Sequence, residues 1–291
     1  MKFAFFDDDV LGLVSGADVV PIPALLIPGT DPHGRLLELI DRYERIREAL
    51  TALAADGTGR RPLAEVTLRP PVPRPTQLLC AVKNYADDRQ GVEADFFLKS
   101  PLSLVGSGAT IHLPPDGARV FHHEPELAVV IGTAGTDIAA DRAMSHIFGY
   151  TGFLDVSARD LGSTYYYKKS FRTFGPMGPV LVTADEIGDP HQLRVQLRVN
   201  GQLRQDFSTG QMANRIDRLI EVASHVGGLV AGDVIATGTY HIGMGPLQDG
   251  DSVEMSIEHI GDLHARVVDP QQRRWDASGV RLEPATPSLR A

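Results

Sequence analysis

From Leu36 onward the apolar residues recur at helical spacing. Leu36, Leu39, Ile40, Tyr43, Ile46, Leu50 and Leu53 fall on one face, while Glu38, Asp41, Arg42, Glu44, Arg45 and Arg47 take the other. The pattern predicts a helix over residues 34–54, preceded over residues 1 to about 30 by short strands and turns. The segment Leu68-Arg69-Pro70-Pro71-Val72-Pro73-Arg74-Pro75 then breaks all periodicity. Its four prolines favour extended, semi-rigid chain and place a domain boundary there. Beyond it, Leu78–Val82 reads as a buried strand. Apolar or alternating runs at Glu126–Ile131, Pro179–Val182, Leu193–Val199, Val234–Thr237 and Ser252–Ile257 read as further strands. Three helices interrupt them: Arg142–Ile147, a segment starting at 157–161 with Ser157 and Asp160 spaced as a capping box, and Asn214–Val226. No internal repeat is visible. The expected organisation is a small N-terminal domain (1–70), a mostly β main domain (71–269) and an Arg- and Pro-containing tail (270–291), poorly ordered or clipped onto a neighbour.

Composition narrows the class. The 291 residues are 43% hydrophobic, enough for a sizeable core, and 29 glycines with 20 prolines suit a turn-rich β architecture. A formal net charge of -9 argues against a general nucleic-acid binder, which needs clustered Lys and Arg on phosphate. The single cysteine, Cys80, excludes an internal disulfide and fits a reducing compartment. The opening run Met1–Phe6 meets Asp7-Asp8-Asp9 at once, and no run reaches transmembrane length. The expectation is a cytoplasmic protein with no membrane partner.

Chemistry concentrates in His122-His123-Glu124-Pro125-Glu126, at the mouth of the apolar run Leu127–Ile131. Side chains two apart on a strand share a face. Two unit charges about 4 Å apart repel by about 4 kcal/mol at an effective dielectric of 20, so something positive belongs between Glu124 and Glu126. A hard divalent cation is the simplest candidate. A third acid, Asp155, ends another apolar run. By itself it also fits a plain acid near a helix N-terminus.

The chain resembles the fumarylacetoacetate hydrolase family. The resemblance rests on Asn84-Tyr85-Ala86-Asp87, Phe97-Leu98-Lys99-Ser100-Pro101, Glu124-x-Glu126, and Gly149-Tyr150 with Asp155-Val156-Ser157-Ala158-Arg159-Asp160. It continues through Lys169-Ser170-Phe171-x-Thr173-Phe174-Gly175-Pro176, Asn200-Gly201-x-x-Arg204-Gln205 and Thr237-Gly238-Thr239-x-x-Ile242-Gly243. It implies a mixed β-roll of packed sheets beside a small N-terminal α/β domain, assembled as a homodimer. It also implies Glu124, Glu126 and Asp155 as metal ligands, with Mg²⁺ suited to them and Mn²⁺ or Ca²⁺ as substitutes. Lys169 becomes the active-site lysine, with Lys168 pointing away if both sit on a strand. Gln205 and Thr239 become substrate contacts, and the altered pocket adds Tyr85, Arg89, Tyr240 and His241. The resemblance further implies a small-molecule substrate, a 2-oxo acid or 1,3-dicarbonyl compound, whose enolate charge a metal and an ammonium would stabilise.

Departures from the family pattern bear on the reaction. Where hydrolytic members place a water-activating histidine and glutamate after the Asn-Tyr motif, this chain has Asp88 and Gly91. Asp88, Glu93, His122, His123 and His241 are the substitute bases to consider. Tyr240-His241 replaces the usual proline after Gly-Thr, Arg172 stands where many members have an acid, and Tyr165–Tyr167 are pocket, core or dimer-contact residues. Two chemistries follow. One is C–C hydrolysis of an acylpyruvate-like compound, the common family activity. The other is a lyase or isomerase reaction (decarboxylation, dehydration, tautomerisation) that needs no attacking water. A non-catalytic binding protein is the remaining reading. Residues 86–97 are expected to form a lid over substrate.

Overall fold

The computed structural model describes residues 1–85, 92–115, 117–162 and 164–274. Among them the main strands are β1 (Lys2–Phe6), β2 (Val10–Ser15), β3 (Asp18–Pro21), β4 (Leu78–Ala81), β5 (Phe96–Leu98), β6 (Thr110–His112), β7 (Pro125–Ile131), β8 (Ile147–Leu154) and β9 (Gly175–Thr183). They continue as β10 (Arg194–Val199), β11 (Gln202–Ser208), β12 (Val234–Ala236), β13 (Ser252–Ile257) and β14 (Gly261–Val268). The helices are α1 (Pro32–Asp56), α2 (Ala140–Ala143), α3 (Tyr165–Lys169) and α4 (Ile216–Gly227).

The long helix forms where periodicity places it, with ends set by its caps. Asp31 accepts the Gly34 N–H, Pro32 opens the first turn, and Gly57 closes the helix at φ 68° with its N–H on the Leu53 carbonyl. Leu36, Leu39, Tyr43 and Leu50 are its buried stripe. They pack with Phe3, Phe5, Leu11, Ala128, Val130 and Leu181 into one core. That core lies against one face of a large mixed sheet, ordered β3-β2-β1-β9-β8-β7-β12-β4-β5 with two-residue strands added at its margins. The opposite face of β7, through Leu127, Val129 and Ile131, shares a second core with Val195, Leu197, Val253, Met255 and Leu263 of the smaller sheet, ordered β11-β10-β13-β14-β6. The molecule is thus helix, sheet and sheet, the packed-sheet roll that the resemblance implied. The N-terminal strands belong to the large sheet, since β1 pairs with β9 (Lys2↔Val182, Phe3↔Leu181). The proline segment after Leu68-Arg69 leads from this layer into β4.

Two expected helices are corrected. Arg142–Ile147 is a short helix at Ala140–Ala143 and a 3₁₀ turn at Met144–His146, while β-branched Ile147 starts β8 opposite Ile131. No helix starts at 157–161. Ser157-Ala158 pairs with Phe121-His122 as strand, and the Asp160 carboxylate accepts the backbone N–H groups of Arg119 and Val120. Ser and Asp satisfy orphan N–H groups in turns as readily as at helix starts, so the spacing alone does not specify a cap. The third helix, α4, buries Ile216, Leu219, Ile220 and Ala223 as its pattern required. Of the tail, Arg273 is held by Asp269 and by the Ala118 and Pro114 carbonyls, and Trp275 onward lies outside the described residues. No helix among the described residues is long and apolar enough to cross a membrane.

Candidate metal and substrate site

The strand register assembles the acids. β7 and β8 pair antiparallel with Pro125 opposite Leu154 and Glu126 opposite Phe153. The ladder runs on past the strand ends, for the Asp155 N–H bonds the Glu124 carbonyl at 2.9 Å, and His122 pairs with Ser157. Glu124 therefore sits directly opposite Asp155, and Glu126 shares their face because side chains alternate. Asp155 belongs to this cross-strand ladder and not to a helix start. Carboxylate oxygens of Glu124, Glu126 and Asp155 all lie within 4.8 Å of one another, and all three residues are buried. The cluster stands at the end of the large sheet where β4 and β12 finish and β7 begins. The chain leaving β12 donates the Gly238 N–H to Glu126 Oε2 at 2.8 Å.

Cations surround the trio unevenly. Lys169 Nζ is 2.6 Å from Glu124 Oε2 and also bonds Asp155 Oδ2. Lys99 Nζ is 2.6 Å from Asp155 Oδ1 and 2.7 Å from the Phe174 carbonyl. Arg159 reaches Glu124 Oε1 through Nη2 and His122 Nδ1 through Nε at 3.1 Å. Burial by itself raises the Glu124 carboxyl, but Lys169 and Arg159 outweigh it and hold the group below its ordinary range. Glu126 goes the other way. Burial and the repulsion of Asp155 and Glu124 push it well up, with Lys169 only partly offsetting them. Burial works against the charged form of Lys169, yet Asp155, Glu124 and Glu126 overcome it and raise its pKa.

This imbalance is what a bound cation would correct. Among the described residues Glu126 has no ion-pair partner, while its two acidic neighbours have three. Two oxygens bound to one ion at about 2.1–2.4 Å from it lie no more than about 4–5 Å apart, so the separations present fit a shared ion. An all-oxygen donor set suits a hard divalent cation.

Lys169 and Lys168 lie on α3, not on a strand. Thr164 caps this single turn through the Tyr167 N–H. Successive helical residues point about 100° apart, so the contrast holds for a different reason: Lys169 is buried and Lys168 is partly exposed. The Lys169 ammonium also lies 5.1 Å from the Phe97 ring centre, and Phe97 stacks on Tyr165 at 4.8 Å. Tyr166 and Tyr167 are exposed.

The expected substrate residues divide into groups. Gln205, on β11, has its amide nitrogen 3.2 Å from Thr239 Oγ1 and also on the Tyr240 carbonyl, which places both residues in the loop that follows Gly238. His241 is exposed on the same loop, within electrostatic reach of Glu124. Tyr85 is buried edge-on against Phe207, and burial raises its phenol. Glu93 is exposed and lines a cavity of about 630 Å³ with Asp137, Arg218, Glu221 and His225, a group apart from the trio. Asp88 and Arg89, with the first half of the expected lid (86–91), lie outside the described residues; residues 92–95 have no regular structure, and the lid's last two residues, Phe96 and Phe97, begin β5 at the sheet edge. Burial lowers His122 to about 4, with Arg159 adding to it, and lowers His123 to about 3 against the pull of its Gln205 bond. Lys99 and Arg159 had no assigned role from sequence. The available signals were a lysine closing the apolar run Phe96–Leu98, and an arginine in the same motif as Asp155.

Fold and site together define a class: packed sheets that carry a buried three-carboxylate candidate cation site, countered by buried lysines, at their strand ends. The fumarylacetoacetate (FAA) hydrolase C-terminal family matches residues 77–268, and the chain belongs to that family. It is 38% identical over 276 residues to the mitochondrial oxaloacetate tautomerase FAHD2B of Bos taurus, covering 89% of this chain and 87% of that one. It is 41% identical over 223 residues to the oxaloacetate tautomerase YisK of Bacillus subtilis (strain 168), covering 70% and 74%. Among solved structures it resembles maleylpyruvate hydrolase from Sphingobium sp. SYK-6 in complex with manganese(II) ion and pyruvate, with TM-score 0.84, 37% identity and coverage of 92% and 99%.

Proposed function

We propose that this protein is a divalent-metal enzyme that interconverts the keto and enol forms of a small 2-oxo acid, with oxaloacetate the first substrate to try. The observation that carries the reading is the buried trio with the Lys169 ammonium bridging two of its members. Glu124, Glu126 and Asp155 would hold the ion, Mg²⁺ or Mn²⁺. Once bound, such an ion acts as a Lewis acid toward substrate oxygens. Lys169 keeps its proton on Nζ at neutral pH, because the acids raise its pKa. Its part is therefore to stabilise charge developing on an enolate oxygen, not to remove the carbon-bound proton. Arg159 meets Glu124 from the more exposed side, where a guanidinium can also pair with a substrate carboxylate.

Keto–enol exchange moves one proton between carbon and oxygen and consumes no water. It does not require the histidine and glutamate that Asp88 and Gly91 replace. We assign the proton acceptor to Asp88, since Glu93 lines the separate cavity beside Asp137 and Arg218. The similarity to two oxaloacetate tautomerases supports this reading. C–C bond hydrolysis is the second reading, favoured by the likeness to maleylpyruvate hydrolase. Decay of enol absorbance on adding Mn²⁺-loaded protein to oxaloacetate tests the first. Appearance of ¹⁸O from labelled water in a new product carboxylate would replace it with the second.

We further propose a homodimer, supported by exposed Leu98, Leu102 and Tyr166 beside the edge strand β5; sedimentation at micromolar concentration tests it. A cytoplasmic setting suits the single buried thiol of Cys80.

A further inference from the structure

His123 lies next to the acids in sequence, yet it belongs to the opposite face of the ladder. It is 1% exposed, and its Nδ1 lies 2.8 Å from Gln205 Oε1 on the second sheet. The Gln205 amide nitrogen gives its protons to Thr239 Oγ1 and the Tyr240 carbonyl. The amide oxygen must then accept, so the ring carries its proton on Nδ1 and donates. The other ring nitrogen, Nε2, has no hydrogen-bond partner among the described residues. A buried imidazole here is committed to one bond, and that bond holds the glutamine amide in the orientation that the Tyr240 carbonyl requires.

The loop it controls is fastened on every side. Gly238 donates to Glu126 Oε2. Gly243, at φ 81°, lies so close to β11 that an added Cβ would stand 1.8 Å from the Arg204 carbonyl oxygen. Beyond it the Leu247 N–H bonds the Phe121 carbonyl at 2.7 Å. Between these backbone anchors, the Thr239-Tyr240 edge is held by the side chain of Gln205.

We infer that His123 is a positioning residue: through Gln205 it fixes the Thr239-Tyr240 edge of the substrate pocket against the metal-binding end of β7. The role in substrate binding rests on the function proposed above, whereas the mechanical pin does not. Hydrogen exchange at Thr239–Ile242 in the metal-free protein reads the pin directly. Exchange there rises about tenfold or more in His123→Phe and equally in Gln205→Ala, and His123→Asn, whose amide N–H replaces Nδ1–H, returns it toward wild type. Calorimetry with Mn²⁺ and then oxalate reads the consequence. Mn²⁺ affinity stays within about threefold, oxalate affinity falls about tenfold in both variants, and the double variant is no worse than either single one, as expected of two residues acting through one shared bond. Unchanged loop exchange in His123→Phe, no recovery in His123→Asn, or additive effects of the two substitutions overturns the inference. A wild-type protein that shows the protected loop but turns over neither oxaloacetate nor other small 2-oxo acids removes the proposed function and leaves the pin standing.

Discussion

The two ends of the β7–β8 ladder are built on opposite terms. At one end Ala128 and Val130 face Leu36, Leu39 and Tyr43 of α1 in a fully apolar core. At the other, two residues along the same strand face, Glu126 and Glu124 meet Asp155, Lys99 and Lys169 in an equally buried but charged cluster. Burying an apolar side chain stabilises the fold by roughly 1.5–3 kcal/mol. Burying ions costs several kcal/mol each, which pairing offsets only where the geometry is good. The same backbone pairing thus spends stability at one end that it gains at the other. The costly end is the one proposed to bind metal and substrate.

This contrast predicts that substitutions separate stability from activity according to the end they touch. The largest effect is on turnover. Asp155→Asn lowers kcat with Mn²⁺ by on the order of 1000-fold, measured as enol decay, while the protein stays folded by circular dichroism. Retention of a tenth of wild-type turnover would break the distinction. At the apolar end, Leu39→Ala lowers unfolding free energy by about 2–5 kcal/mol in urea titrations and leaves kcat/KM of the folded protein unchanged. Metal sharpens the same contrast. At 100 times its dissociation constant, Mn²⁺ stabilises the native state by about 2.7 kcal/mol, seen as a rise in Tm that chelator reverses. Glu126→Gln should abolish that rise. An undiminished rise in this variant would move the ion elsewhere.

The smallest effect lies away from both ends. His191 Nε2 accepts the Ile216 N–H at the start of α4, and burial followed by the nearby Arg215 lowers its pKa below the ordinary histidine value. The unfolded chain therefore takes up this proton first as pH falls. The stability it contributes is complete above about pH 6.5 and declines as pH drops from there toward the lower folded value. His191→Gln makes the fall in urea midpoint between pH 7 and pH 5 shallower without abolishing it, since His122 and His123 share its sign. An unchanged slope removes His191 from the acid sensitivity of the fold.

Much of this architecture was legible locally. The α1 stripe from Leu36 to Leu53 declares its helix, and Leu127–Ile131 declares a strand buried on both faces. The acid pair was readable too, because alternation alone puts Glu124 and Glu126 together. What the residues do not state locally is which strand lies alongside. Asp155 became a partner of Glu124 only through the family resemblance and, physically, through the β7–β8 register. Lys99 and Arg159 were missed for a related reason: long side chains reach the site from other segments, and their direction is set by packing. Ser157 and Asp160 misled because their spacing suits a helix cap and a strand–turn equally.

The register itself carries a genetic consequence. Since the side-chain period of a strand is two, deletion of one residue within 125–130 would transpose Glu124 to the wall occupied by His123 while Asp155 stayed where it is. Frame, more than residue identity, is the fragile property of this segment. Length variation is better absorbed in the excursion between Gly132 and His146, outside the paired stretch.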